Sequence, residues 1–275
     1  MRNKDFVVFI LTHGRADNVI TLDSLNKSGY TGEVYYIVDN EDKQQDLYIK
    51  NFGEKYVKIF DKQEYINKTD TGNNFGERRS IVYARNACFD IATELGYKYF
   101  IELDDDYTSF LYRYPVGGRT IRTIDVVFDA FIDFLEATNI SSIAFSQGGD
   151  HIGGFTETKL KRKCMNSFIC STERPFKFVG AMNDDVNTYV TLASRGKIFF
   201  TFTSIQLNQM QTQTQAAGLT DMYLRYGTYC KSFTTVMMSP SSVKVNMLNT
   251  TNSRLHHSIS WKNTTPYIIS EKYKK

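Results

Sequence analysis

Tyr99-Phe100-Ile101-Glu102-Leu103-Asp104-Asp105-Asp106-Tyr107 decides the fold. An apolar run broken only by Glu102 leads straight into three consecutive carboxylates, with Gly96 ahead of it. A short aromatic and branched run bounded by a turn signal reads as a buried strand. Three adjacent Asp at a strand end repel one another. A divalent cation relieves that repulsion, and carboxylate oxygens suit magnesium, manganese or calcium. The plainer reading is a solvated acidic turn. A calcium loop opening at Asp104 is excluded, because its Gly and Glu places hold Ser109 and Pro115.

Working back from that stretch, residues 6–11 are continuously apolar, as in a strand covered on both faces. Thr12-His13-Gly14-Arg15 follows, then a helical stretch over 16–26. Backbone N–H groups at such a turn can hold phosphate or a ring carbonyl, and Arg15 can add charge; a plain strand-to-helix turn is the alternative. It is not a P-loop. A second strand over 33–38 ends in Asp39-Asn40, a helix spans 44–52, and a third strand spans 55–60. This alternation predicts a parallel sheet with covering helices, whose ligands sit at the carboxyl ends of the strands. Arg15, Asp39 and Asp104 to Asp106 all fall at such ends. A helix over 79–95, with Ile81, Val82, Ala84, Cys88, Ile91, Ala92 and Leu95 at helical spacing, carries Arg85 and Asn86. Arg85 is either an ordinary surface charge or aimed at a diphosphate.

Beyond the triplet, residues 110–123 read as an exposed basic loop with Arg113, Arg119 and Arg122. A helix over 124–137 and a strand over 142–145 lead to the most Gly-rich stretch, 147–154. There Gly148 and Gly149 permit close backbone approach to an acceptor. The basic run 159–163, with Lys161 and Arg162, is a solvated face or a phosphate contact. Asn183-Asp184-Asp185 opens a helix through 193, as an ordinary N-cap or as a held general base. A strand over 198–202, a loop or edge over 206–215, a helix over 222–226 and a strand over 232–238 follow. His256, His257 and Trp261 come next, and the tail 272–275 frays.

With 275 residues the chain makes one large domain or two small ones. Its 41% hydrophobic and 23% charged content is that of an ordinary soluble protein, and a net charge of +3 neither demands nor excludes nucleic acid. The four Cys form no C-x-x-C pair, which argues against structural zinc. The run at 6–11 is too short for a secretory core or a membrane span. These features place the chain in a reducing cytoplasm, away from membranes.

The order of Thr-x-x-Arg, Asp39, Ala84-Arg85-Asn86, the Asp triplet and Asn183-Asp184-Asp185 resembles the GT-A glycosyltransferases over roughly residues 5 to 200. The stretches 213–220, 229–233 and 238–245 look like the TET-associated glycosyltransferase family. Its phage members are associated with sugar addition to hydroxymethylated pyrimidines in DNA. The resemblance implies a single α/β domain of GT-A fold over 1–275. Its Rossmann-like, mostly parallel central sheet is flanked by helices and accompanied by a smaller acceptor-side sheet. Residues 1–107 form the nucleotide-sugar half and 108–275 the acceptor half. It further implies that Asp39 binds the base or ribose of a UDP-sugar, with Thr12, Arg15 and Asp105 lining the donor. Arg85 would contact the donor near its diphosphate, Asp104 would hold ribose or metal, and Asp106 would ligate Mn2+ or Mg2+. Asp185 would be the catalytic base beside Asp184, and His256 or His257 a late metal or diphosphate ligand. Gly148, Gly149, Lys161 and Arg162 would meet the acceptor, foremost 5-hydroxymethylcytosine in double-stranded DNA, with inversion of the sugar. In a phage-encoded chain the compartment would be the bacterial host cytoplasm. The chain departs from the family pattern in having Asp-Asp-Asp rather than D-x-D, and Asp184-Asp185 where Glu-Asp is usual, so the division of roles stays open. A nucleotidyltransferase, a non-catalytic binding module and a protein O-glycosyltransferase are the rival readings.

Overall fold

A computed structural model describes residues 3–72, 78–151, 158, 163–210, 227–248 and 253–264. Strand β1 (Phe6–Leu11) is buried along its whole length. Its residues alternate between two cores, as strand geometry requires. Phe6, Val8 and Ile10 join Leu25 of α1 (Ile20–Lys27), Tyr48 of α2 (Gln45–Phe52) and Phe128 of α5 (Ile124–Ala137). Val7, Phe9 and Leu11 join Tyr65 of α3 (Lys62–Lys68), Val82 and Cys88 of α4 (Val82–Glu94) and Val186 of α6 (Asp184–Ala193). Burying one such side chain contributes about 1.5–3 kcal/mol. Helices on both faces are why β1 reads as a continuous apolar run.

Strands β2 (Val34–Asp39), β3 (Val57–Phe60) and β4 (Tyr99–Asp104) run parallel to β1 in the order β3-β2-β1-β4. The sheet continues through β5 (Tyr107–Arg113), β6 (Gly118–Thr120), β7 (Ser142–Gln147), β8 (Ser167–Ser171) and β9 (Phe199–Gln209). Its full order is β3-β2-β1-β4-β8-β7-β9-β5-β6, with β8 antiparallel to both β4 and β7, and β9 parallel to β7. A separate antiparallel hairpin, β10 (Val243–Leu248) with β11 (Arg254–Ile259), packs with α7 (Thr228–Met238). A short helix, α8 (Trp261–Thr264), stacks Trp261 on Tyr189 of α6.

Several elements differ from the sequence expectation. Residues 110–123 are not a loop: β5 and β6 form a hairpin turning at Gly117, which takes φ 80° as Gly alone does readily. Because β5 starts at Tyr107 and runs antiparallel to β9, it carries Arg113 away from the acid triplet, not toward it. The strand expected over 232–238 is helix α7. Its β-branched Thr234-Thr235-Val236 favours a strand, but burial of Ser232 and Thr235 three residues apart, on one helical face, overrides that propensity. Strand β9 extends to Gln209, so residues 206–209 of the stretch that reads as loop or edge are strand. Strands β8, β10 and β11 and helix α3 have no counterpart in the sequence reading. The helix expected over 222–226, the tail 272–275, Lys161 and Arg162 lie outside the described residues. Cys88, Cys164 and Cys170 are buried, Cys230 is half-buried, and all four are unpaired. No helix among the described residues is long and apolar enough to cross a membrane.

Candidate active site

Parallel strands deliver their loops to one edge of the sheet. Leu11, the last residue of β1, pairs with Asp104, the last residue of β4. The turn after β1 therefore meets the acid triplet. The Thr12 hydroxyl donates to Asp105 Oδ2 at 2.7 Å, and Arg15 Nη1 donates to Asp105 Oδ1 at 2.7 Å. With its proton committed to Asp105, Thr12 accepts from the Tyr48 hydroxyl at 2.8 Å, which itself accepts from Arg15 N at 2.9 Å. Both oxygens of Asp105 are thus engaged.

Glu102 and Asp104, two residues apart, share the other face of β4 and reach Arg85 of α4. Arg85 is 2% exposed. Its Nε donates to Asp184 Oδ2 at 2.9 Å, Nη1 to Glu102 Oε2 at 3.4 Å and Nη2 to Asp104 Oδ1 at 3.1 Å. One guanidinium thus faces two buried carboxylates, Glu102 and Asp184, and the half-buried Asp104. Burial pushes Glu102 up to about 8 and Asp104 up to about 7, with Arg85 only partly offsetting it. The neighbouring Asn86 clamps the segment before the second acid pair: its Nδ2 donates to Phe178 O at 3.1 Å, and its Oδ1 accepts from Phe178 N at 2.8 Å.

Asp106 stands outside both arrangements. Its Oδ2 takes a 3.5 Å bond from Gln209 Nε2, and Gln209 Oε1 accepts from Asn166 at 3.1 Å. Asp106 Oδ1 is buried and has no hydrogen-bond partner among the described residues. Burial, then the charge of Asp105, raises the pKa of Asp106.

The second acid pair opens α6. Asn183 precedes it in the left-handed region, at φ 54°. Asn183 Nδ2 lies 3.0 Å from both Lys231 O and Thr235 Oγ1 of α7 and 3.4 Å from His257 Nδ1 of β11, so the α7–hairpin unit is tied to the acid pair. Asp184 turns to Arg85. Asp185 accepts from Val186 N at 2.7 Å, and burial with the charge of Asp184 pushes it up to about 6. Burial lowers the pKa of Lys231, with the charges of Asp185 and Asp184 opposing. His257 is pushed down to about 4 by burial and by His256 and Lys231, so it is neutral near pH 7; the two imidazole rings lie 4.2 Å apart.

At the end of β2, Asp39 Oδ2 meets His13 Nδ1 at 2.7 Å, and Asp39 Oδ1 accepts from Lys62 Nζ at 3.2 Å. Burial works against the charge on Asp39, but the His13 hydrogen bond and Lys62 outweigh it and hold its pKa low. Gly148 and Gly149 form a single turn of 3-10 helix after β7, and Lys163 Nζ lies 3.0 Å from Asp150 Oδ1.

The structure thus gathers Arg85, Asp104 and Asp184 into one cluster and Thr12, Arg15 and Asp105 into another, and brings His257 to Asn183. Among the described residues, no three His, Cys, Asp or Glu side chains converge closely enough to hold a metal ion by themselves. Sequence reasoning assigned no role to Glu102, His13, Tyr48, Lys62 or Lys231. Glu102 had a signal, as the one charge inside an apolar strand; Lys231 had none.

Residues 6–218 match the model of the family described as TET-Associated Glycosyltransferase. Among solved structures, glucosyl-3-phosphoglycerate synthase from Mycobacterium tuberculosis, in complex with Mn2+ and uridine-diphosphate-glucose, is similar at TM-score 0.50. The identity is 8%, over 93% of this chain and 87% of that one. S. aureus TarS is similar at TM-score 0.46 and 14% identity, over 76% of this chain and 37% of that one, so this chain spans little more than a third of it. At 8% identity the likeness to the synthase is one of fold, the GT-A fold. No match is found among curated proteins.

Proposed function

The chain belongs to the TET-associated glycosyltransferase family, and on that premise we propose that this glycosyltransferase moves a sugar from a UDP-sugar to the hydroxyl of 5-hydroxymethylcytosine in DNA. The observation that carries the reading is the division of labour among five acids. Asp105 is held by Thr12 and Arg15, and Asp104 and Asp184 by Arg85. That leaves Asp106 Oδ1 buried and unpartnered, and Asp185 raised to about 6. Asp-Asp-Asp therefore works as a D-x-D whose middle acid braces the β1 turn.

A hard divalent ion fits this donor set. Mg2+ is usually held by one or two carboxylates together with substrate phosphates rather than by an all-protein cage, and Mn2+ favours the same oxygen ligands. Asp106 and Asp104 would hold the ion, with neutral His257, and His256 beside it, toward the diphosphate. When bound, the ion supplies positive charge to the departing diphosphate. Asp39, with His13 and Lys62, forms the pocket for the uridine end. Arg85, too enclosed to bridge a donor directly, positions Asp104 and Asp184. Asp185 takes the proton of the acceptor hydroxyl, which makes the transfer inverting. Gly148 and Gly149 line the acceptor side. An enzyme with these roles would work in the cytoplasm, where UDP-sugar and DNA meet.

The test is incubation with UDP-sugars and either hydroxymethylated or unmodified DNA, followed by mass spectrometry of the nucleosides. Glycosylated 5-hydroxymethylcytosine, with UDP released, is expected from the first substrate alone. Release of pyrophosphate, or transfer confined to protein hydroxyls, overturns the reading.

A further inference from the structure

The two oxygens of Asp106 have different surroundings. Oδ2 takes a bond from Gln209 Nε2 at 3.5 Å, whereas Oδ1 is buried with no hydrogen-bond partner among the described residues. Three strand ends build this difference. Strand β5 pairs antiparallel with β9, Tyr107 opposite Gln209, and Met210 N donates to Asp106 O at 3.2 Å one step further on. Gln209 is thereby set beside the Asp106 carboxylate. Ser167 of β8 pairs with Leu103 of β4, so Asn166 stands at the same sheet edge, level with Asp104. Asn166 Nδ2 donates to Gln209 Oε1 at 3.1 Å, and Asn166 O accepts from the Tyr107 hydroxyl.

Chemistry fixes the polarity of this chain of bonds. An ionised carboxylate only accepts, so Gln209 must turn its NH2 group to Asp106 and its oxygen to Asn166, and Asn166 must answer with its own NH2 group. Asn166 does so from the left-handed region, at φ 61°, which Asn adopts more readily than most side chains. The relay carries no charge. A Lys or Arg at position 209 would neutralise Asp106 and compete with a cation, whereas an amide occupies Oδ2 and leaves the negative charge in place. At 3.5 Å the bond is long, so it orients the carboxylate more than it stabilises it.

We propose that Gln209 and Asn166 are positioning residues for the metal ligand: the amide pair holds Asp106 by Oδ2 and so presents Oδ1 to the divalent ion. This rests on the metal reading above and assigns that ion its oxygen. Partners of this kind, behind the ligands themselves, orient metal sites, and their loss costs about 10–100-fold in metal affinity.

The test is a Mn2+ titration in the presence of UDP, with free Mn2+ read by electron paramagnetic resonance, alongside urea unfolding without metal. Asp106→Asn is expected to abolish the tight binding. Gln209→Met keeps the length and removes the donor, and is expected to weaken binding by about tenfold or more. Asn166→Gly and Asn166→Asp both tolerate the left-handed backbone. Asn166→Asp is expected to weaken binding more than Asn166→Gly, because a carboxylate there accepts only and draws the Gln209 NH2 group away from Asp106. Asn166→Gly combined with Gln209→Met is expected to cost no more than Gln209→Met alone, since Asn166 acts through Gln209. If Asp106→Asn loses Mn2+ while the Gln209 and Asn166 variants bind like wild type, the relay is wrong and the metal reading stands. Losses that simply add in the double variant also overturn the relay, as does a loss of Mn2+ that tracks a fall in the metal-free urea midpoint across the variants. If wild type with UDP binds no Mn2+, or Asp106→Asn binds it as wild type does, the metal reading at Asp106 and the relay fall together.

Discussion

Replacing Arg85 with Met keeps much of the side-chain bulk but leaves Glu102, Asp104 and Asp184 facing one another with no cation among them. Stranding buried charge in this way costs about 3–5 kcal/mol. Urea unfolding is expected to show that loss, and a variant within about 1 kcal/mol of wild type would mean the acids find other partners. Asp185 makes a different prediction. Its pKa is raised to about 6, and a general base must be unprotonated, so kcat is expected to fall as pH drops through about 6 and to level off above it. Asp185→Asn should lower kcat by about two to four orders of magnitude, remove that acid limb and leave UDP affinity nearly intact. Asp184→Asn is the control, because the charge of Asp184 is part of what raises Asp185. The sequence displayed these acids but not their sorting. Arg85 meets partners 17, 19 and 99 positions away, and only folding shows that the third comes from α6.

The first turn of α6 is held by its approach segment as much as by its own helix. Gly180 takes φ 89°, its N donates to Asp70 O at 2.7 Å, and a Cβ there would lie 2.0 Å from Asn187 Nδ2. That amide donates to Met182 O at 2.9 Å, just ahead of the acid pair. Gly180→Ala is therefore expected to cost about 1–3 kcal/mol in strain and to lower kcat more than UDP affinity, as chemical denaturation and steady-state kinetics would show. Unchanged kcat would mean that the segment does not set the acids. Elements with a strong one-period signal were legible: β1 as an unbroken apolar run, β4 as an apolar run broken only by Glu102 before its acid end, α5 with the same bounds as read. Strand β8 was not, since Ser167-Phe168-Ile169-Cys170-Ser171 is short and holds only three apolar residues between two Ser. Strands β10 and β11 alternate weakly, because much of the hairpin faces solvent.

At the scale of the whole molecule, stability is unevenly distributed. Strands β1 and β4 have paired neighbours on both sides and aromatic cores above and below, including Phe9 against Phe100 at 5.5 Å. The β10–β11 pair is a two-stranded sheet, which is marginal without support. Native-state hydrogen exchange is expected to give β1 and β4 protection near the global limit, with hairpin amides exchanging on the order of a hundredfold faster or more. Equal protection would show that the hairpin opens only with the main sheet. The GT-A architecture was readable from the chain's first half, where strands and helices alternate. The mixed half was less so, because β5 leaves the end of β4 and re-enters the sheet beyond β9, a long-range pairing that no local pattern announces.

The state of the four thiols has a practical consequence at this scale. Burial makes Cys88, Cys164 and Cys170 poor thiolates, whereas Cys230 is half-open and sits on α7 between Tyr229 and Lys231. A maleimide dye added to the unmodified native protein should therefore attach at that one position. The molecule comes with a built-in attachment point for a fluorophore, whose emission would report what settles on α7 without any residue being changed.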